Sequence, residues 1–290
     1  MADLTLPTSS ALQLSSSSTF GAGLQRFGRS ALTATAALYL GVILGAPLVA
    51  MVLELVQLGA GNALASLLEP EALAALRMSV VLTLLSVVIN SVVGVVLAIS
   101  IVRHRFALRG LVNALADLPL AVSPVMVGLS FLLLFGRDGW FAPALDRLDI
   151  KVVFAFGGLL LGTLFVALPY TVREIAYVLE ELGTSEEEAA ATLGASPFQI
   201  FFRVTLPNIR FALGYGVLMT LARSMGEFGA VLVLGGSISG QTQTATTFIH
   251  DAMEERATGS AYGMAVLLAL FSVGLLLLLE RAKRHRKVTR

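Results

Sequence analysis

Residues 78–102 read MSVVLTLLSVVINSVVGVVLAISIV, 25 residues with no Asp, Glu, Lys or Arg, bracketed by Arg77 and Arg103. A helix needs about 20 mostly apolar residues to cross the hydrocarbon of a bilayer. This stretch qualifies, and five more follow the same pattern. Residues 30–53, 152–172 and 261–279 carry no acidic or basic residue, 111–135 carries only Asp117, and 211–234 only Arg223 and Glu227. The six stretches take up nearly half of the 290 residues. Six buried helices of a large soluble protein would need amphipathic elements to cover them, and few are left. Composition agrees. Charged residues are 13%, hydrophobic residues 56%, and mean hydropathy is +0.84, against about 25% charged in a soluble domain. A soluble globular protein, a disordered chain and a nucleic-acid-binding domain are excluded. The fold class is an all-α membrane protein of six transmembrane helices.

Topology follows from the basic residues, which favour the cytoplasmic side. With the N-terminus inside, the inner segments hold fourteen of the 20 Lys and Arg and the outer segments five; Arg223 lies within a span. Both termini are therefore expected in the cytoplasm. Residues 1–25 are polar, serine-rich and free of basic residues, and lack the charged start and apolar core of a signal peptide. They read as a disordered cytoplasmic tail, with residues 26–280 forming the transmembrane domain and 281–290 a basic cytoplasmic end. Pro47, Pro119 and Pro124 are expected to interrupt their spans.

Between the fourth and fifth spans the inner loop 173–210 is long and patterned. Ser185 and Glu188 read as a capping box opening a helix that stops at Gly194. Ser196-Pro197-Phe198-Gln199 reads as a second capping box with proline at the first helical position. Pro207 should keep that second helix short. It carries Phe198, Phe201 and Phe202. Three phenylalanines on a short surface helix lie either against the chain's own helices and the membrane interface, or in a groove of a partner.

The run Glu188-Ala189-Ala190, then Gly194, then Val204-Thr205-Leu206-Pro207 resembles the EAA loop of ABC importer permeases, departing only in Val204 where the family has isoleucine. The stretches Leu118–Val125, Arg203–Arg210 and Ala222–Val231 are similar to the sulfate/molybdate branch, nearest to the W-type permeases of sulfate/thiosulfate importers. The resemblance implies the type I ABC importer permease fold, with 26–280 as the permease domain and 173–210 as its coupling loop. It implies that Glu188, Ala189, Ala190, Gly194, Phe198, Phe201, Phe202, Val204, Leu206 and Pro207 dock on an ATPase. It further implies a heterodimer with a second homologous permease, two ABC ATPase subunits and an extracytoplasmic sulfate-binding protein. A molybdate or tungstate permease, which would be a homodimer, is the alternative. An ATP-independent secondary anion transporter or channel is a second, against which the docking elbow argues.

The chain carries no nucleotide site of its own. A P-loop ends in Gly-Lys-Ser/Thr, and none of Lys151, Lys283 and Lys287 follows a glycine. ATP-Mg is expected on the partner ATPase, with no cofactor, metal site or catalytic residue in this subunit. Cysteine is absent, and His104, His250 and His285 fall outside the spans, which leaves no intramembrane hydrolase dyad or metal pair. Arg223 and Glu227, four apart on one helix face, should either brace the bundle or give an anion path positive potential. Ser123 and Thr220 are the hydroxyls that could line such a path. Asp117 reads as a structural partner, since its carboxylate would repel sulfate.

Overall fold

The computed structural model describes residues 31–288, and among these every regular element is helical. The predicted tail 1–25 and the last two residues lie outside the described residues. The chain divides at Leu53/Glu54 into two units. The first contains most of α1 (Ala31–Gln57), an apolar helix with no buried residue. The second holds α2 (Ala60–Leu67), α3 (Pro70–Arg103), α4 (Arg109–Ala121), α5 (Pro124–Phe135), α6 (Ala142–Arg147), α7 (Phe156–Leu182), α8 (Ser185–Thr192), α9 (Pro197–Met225), α10 (Gly229–Gly235), α11 (Ala245–Glu254) and α12 (Thr258–Val288).

Four helices are long and apolar enough to cross a membrane alone, and the total reaches six where each of two bent pairs counts as one span. The third and fifth spans are therefore not the single rods expected from 111–135 and 211–234. The α4–α5 pair turns through 116° and α9–α10 through 54°. The first break falls at Val122 and Ser123, because the residue before a proline is pushed out of the helical region; Ser123 sits at φ −61°, ψ 138° and Pro124 opens α5.

Two of the three interrupting prolines behave differently from expectation. Pro47 lies within α1 directly after a π turn at Gly41–Gly45, and Pro119 stays inside α4. Pro207 likewise fails to end the second loop helix. Residues Phe201–Thr205 form a π turn in which the Leu206 N–H donates to the Phe201 carbonyl, and the helix runs on to Met225. The wider turn accommodates a residue that brings no N–H to the ladder. The fourth span begins at Phe156 rather than residue 152 and continues past 172 to Leu182. Arg173 thus belongs to a helix and not to a loop.

The centre of the second unit is α3 packed against α7 and α9. Lipid tails are as apolar as leucine, so helices in a bilayer associate through close packing and hydrogen bonds. The seam is built that way. Ser79, Thr83, Ser86 and Asn90 recur on one buried face of α3. Ser79 Oγ accepts the Ala245 N–H at 2.8 Å, Thr83 donates to Met225 Sδ at 3.6 Å, Ser224 donates to Ser86 at 3.2 Å and Asn90 donates to the Leu164 carbonyl at 3.1 Å. A second hydroxyl pair, Thr171 with Thr220 at 2.8 Å, ties α7 to α9. Towards the α8 end of this seam, Val95, Ala98, Ile101, Val172, Ile175, Leu179 and Ile209 form an apolar core.

Candidate coupling elbow and intramembrane charges

The α7 helix ends at Gly183, whose φ of +66° and ψ of −161° suit glycine and reverse the chain. Thr184 follows as the N-cap of α8. This corrects the expected capping box: Ser185 is already helical and no side chain caps the first turn. The Thr184 hydroxyl instead donates to Glu188 Oε1 at 2.6 Å. Glu186, Glu187 and Glu188 fill that first turn, where the helix dipole favours negative charge. Leu193 closes α8, and Gly194 at φ +82° turns the chain again. The second capping box is formed: Ser196 Oγ accepts the Gln199 N–H at 3.4 Å, and Gln199 Oε1 accepts the Ser196 N–H at 2.9 Å.

The result is a helical elbow with an apolar outer surface. Leu193 is 89% exposed, Phe198 73% and Phe202 47%. Phe198 and Phe202 meet with ring centroids 4.6 Å apart. Phe201 is less exposed. It packs against the apolar core, together with Leu206, and meets the Phe202 ring edge-on with centroids 4.8 Å apart. Glu188, Ala189, Gly194 and Pro207 are exposed, while Ala190 and Val204 are half-buried.

The three consecutive glutamates have three separate environments. Glu188 faces outward. Glu186 accepts from Asn208, and Glu187 accepts from Arg103 Nε at 2.8 Å and from Thr205 Oγ1 at 2.8 Å. Arg103 also donates to the Leu179 carbonyl at 2.9 Å and to the Gly183 carbonyl at 2.7 Å. Sequence reading missed this cluster. The partner of Arg103 is 84 positions away, so no local spacing announces it.

Within the spans, Asp117 on α4 takes a forked ion pair from Arg173 on α7, whose guanidinium also reaches the Asn113 side chain and carbonyl. The carboxylate braces two helices. Arg223 lies in the last turn of α9, but Glu227 has left that helix and occupies the break before α10, so the two do not share one helix face as expected. They nevertheless meet. One nitrogen of Arg223 lies 2.7 Å from Glu227 Oε2, although its N–H is not aligned on that oxygen. Glu227 Oε1 accepts the Ala230 N–H at 2.9 Å and thereby caps α10. The Glu227 carbonyl accepts from Thr246 at 2.7 Å.

Thr220 does not fit the expected role of a path-lining hydroxyl. It is fully buried and bonded to Thr171, so it belongs to the seam. Ser123 is exposed at the α4–α5 break. Among the described residues no cluster of three or more His, Asp or Glu is arranged to hold a metal.

A membrane bundle with broken spans and an exposed elbow is the architecture of an importer permease, and comparison with known proteins agrees. Residues 90–285 match the family described as binding-protein-dependent transport system inner membrane component. The chain belongs to this family, and is a multi-pass inner-membrane permease of the ABC type. It is 43% identical over 252 residues to the chloroplastic sulfate permease 2 of Chlamydomonas reinhardtii, covering 87% of this chain and 68% of that protein. It is also 43% identical over 259 residues to the sulfate transport system permease protein CysW of Synechocystis sp., covering 88% of this chain and 94% of that protein. A chain from the crystal structure of a bacterial alginate ABC transporter, in complex with alginate pentasaccharide-bound periplasmic protein, superposes with a TM-score of 0.72 at 16% identity. That match covers 94% of this chain and 99% of the other, and establishes the type I importer permease fold.

Proposed function

We propose that this chain is one permease subunit of an ATP-driven importer that moves sulfate or thiosulfate into the cytoplasm. The observation that carries the reading is the elbow. An outward apolar surface of Leu193, Phe198 and Phe202 stands on a rigidly bonded loop and is suited to a groove on a second polypeptide. The separate ATPase is the natural occupant, because this chain has no phosphate-binding loop of its own. The names of the two sulfate permeases support the choice of cargo, and likeness to CysW supports a heterodimer with a second, homologous permease. Basic residues concentrated on one side support an orientation with both termini and the elbow inside. A binding protein would then deliver the anion to the opposite face.

In this scheme ATP binding closes a pair of ATPase subunits, the two elbows move together, and the paired permeases switch from inward-facing to outward-facing. Hydrolysis resets them. Catalysis stays with the ATPase, and this subunit contributes the path and the lever.

The test is reconstitution of the permease pair, ATPase and binding protein in proteoliposomes with labelled sulfate. ATP-dependent sulfate uptake, abolished when the ATPase is omitted, is the expected result. Preferential uptake of molybdate would reject the cargo. Anion flux through the permease alone, without ATP, would reject the importer reading altogether.

A further inference from the structure

The elbow joins α7 through only two residues, Gly183 and Thr184, and glycine offers the chain a free hinge there. The hinge is locked. The Arg103 side chain, rising from the last turn of α3, spans it completely. It donates to Leu179 on the α7 side, to the carbonyl of Gly183 itself, and to the Glu187 carboxylate on the α8 side. Leu179 is among the last carbonyls of α7, which lack partners within the helix. Glu187 in turn accepts from Thr205, and Glu186 from Asn208, so α8 is also bound to the start of the long run of α9. The Arg103 and Glu187 side chains are only 12% and 21% exposed, so water screens this pair far less than a surface ion pair.

Resting on the reading of the elbow as the ATPase contact, we infer that Arg103 and Glu187 form the strut that carries elbow displacement into α3 and α7. The two residues are positioning residues and touch neither ATP nor cargo. Without the strut, a push on α8 would be absorbed by rotation at Gly183. With it, α8 cannot move without drawing the ends of α3 and α7, the two helices that share the central seam. Of the three consecutive glutamates, Glu187 then serves within the chain, and Glu188 is exposed at the surface of the elbow.

The experiment uses the complete reconstituted importer and measures sulfate moved per ATP hydrolysed. Arg103→Gln and Glu187→Gln should each lower this ratio by about fivefold or more, the low end of coupling between two sites. The ATPase should still co-purify, because Leu193, Phe198 and Phe202 are untouched. Arg103→Lys should fall between, since an ammonium group keeps the charge and loses the fork. Glu187→Gln leaves Arg103 on the Leu179 and Gly183 carbonyls, so it decides the question if Arg103→Gln fails to accumulate. Uptake and hydrolysis falling in step, or an unchanged ratio, would overturn the strut. An ATPase that does not bind the unaltered chain would instead overturn the elbow reading on which it rests.

Discussion

The Glu227 carboxylate stands between Arg223 and the N–H of Ala230, one oxygen 2.7 Å from the guanidinium and the other 2.9 Å from the amide. It holds the two halves of a span together at the point where that span is broken. The Glu227 side chain is 1% exposed and that of Arg223 26%, so the carboxylate depends on its partner far more than the reverse.

Removing Arg223 alone should therefore be costly. Arg223→Met strands a buried carboxylate, at about 3–5 kcal/mol. The double variant Arg223→Met/Glu227→Gln should recover most of the loss, because the amide oxygen can still accept from Ala230. Thermal unfolding of the purified chain in detergent measures both. Equal losses in the single and double variants would refute the ion pair as a brace.

Close approach of α3 to α7 predicts opposite effects at two glycines. A Cβ on Gly94 would lie 2.7 Å from Thr171 Cγ2 and 3.0 Å from its Cβ, and Thr171 is held by its bond to Thr220. Gly94→Ala should destabilise by about 1–3 kcal/mol through overpacking. Gly214 on α9 has nothing within 4 Å, so Gly214→Ala should be stabilising by up to about 1 kcal/mol. Melting temperatures shifting in opposite directions would establish the contrast.

Exposed elbow residues should separate binding from stability. Leu193→Ser and Phe198→Ala remove largely exposed side chains, so stability should change by less than about 0.5 kcal/mol. Each should weaken ATPase association by more than about 1 kcal/mol if it is an anchor. Phe201→Ala should show the reverse, since Phe201 packs on the core. Paired melting and co-purification measurements distinguish the two patterns.

Backbone conformation rather than space should govern the corner of the elbow. Gly194 has φ +82° and no neighbour within 4 Å of an added Cβ. Gly194→Val should strain the turn by about 1–2 kcal/mol, the cost of the left-handed region for an L-residue. Gly194→Asn should be milder, because asparagine visits that region more readily. ATPase co-purification and sulfate uptake should fall for valine and largely persist for asparagine, with membrane insertion intact in both.

The long apolar helices, the elbow and its turn at Gly194 were readable from residue order. The apolar helices came from long uncharged runs, and the elbow from Gly194, Ser196 and Gln199, because caps and turns are made by residues within four positions of one another. Where the local rules competed, the reading erred. Pro207 looked like a stop, yet a π turn carried the helix through it. Ser185 looked like a cap, yet Thr184 took that position. Arg223 and Glu227 looked like neighbours on one helix, yet the break at Gly226 put the carboxylate at the start of the next.

The partners of Arg103, Asp117 and Thr220 could not be read in this way. They sit 84, 56 and 49 positions away, and which residues meet at that range depends on how whole helices cross. Lipid as the solvent was already written in the composition, since a backbone crossing hydrocarbon must satisfy its own hydrogen bonds and does so one turn at a time. Packing then chose, from many polar side chains of equal local promise, the few that close the seam and lock the hinge.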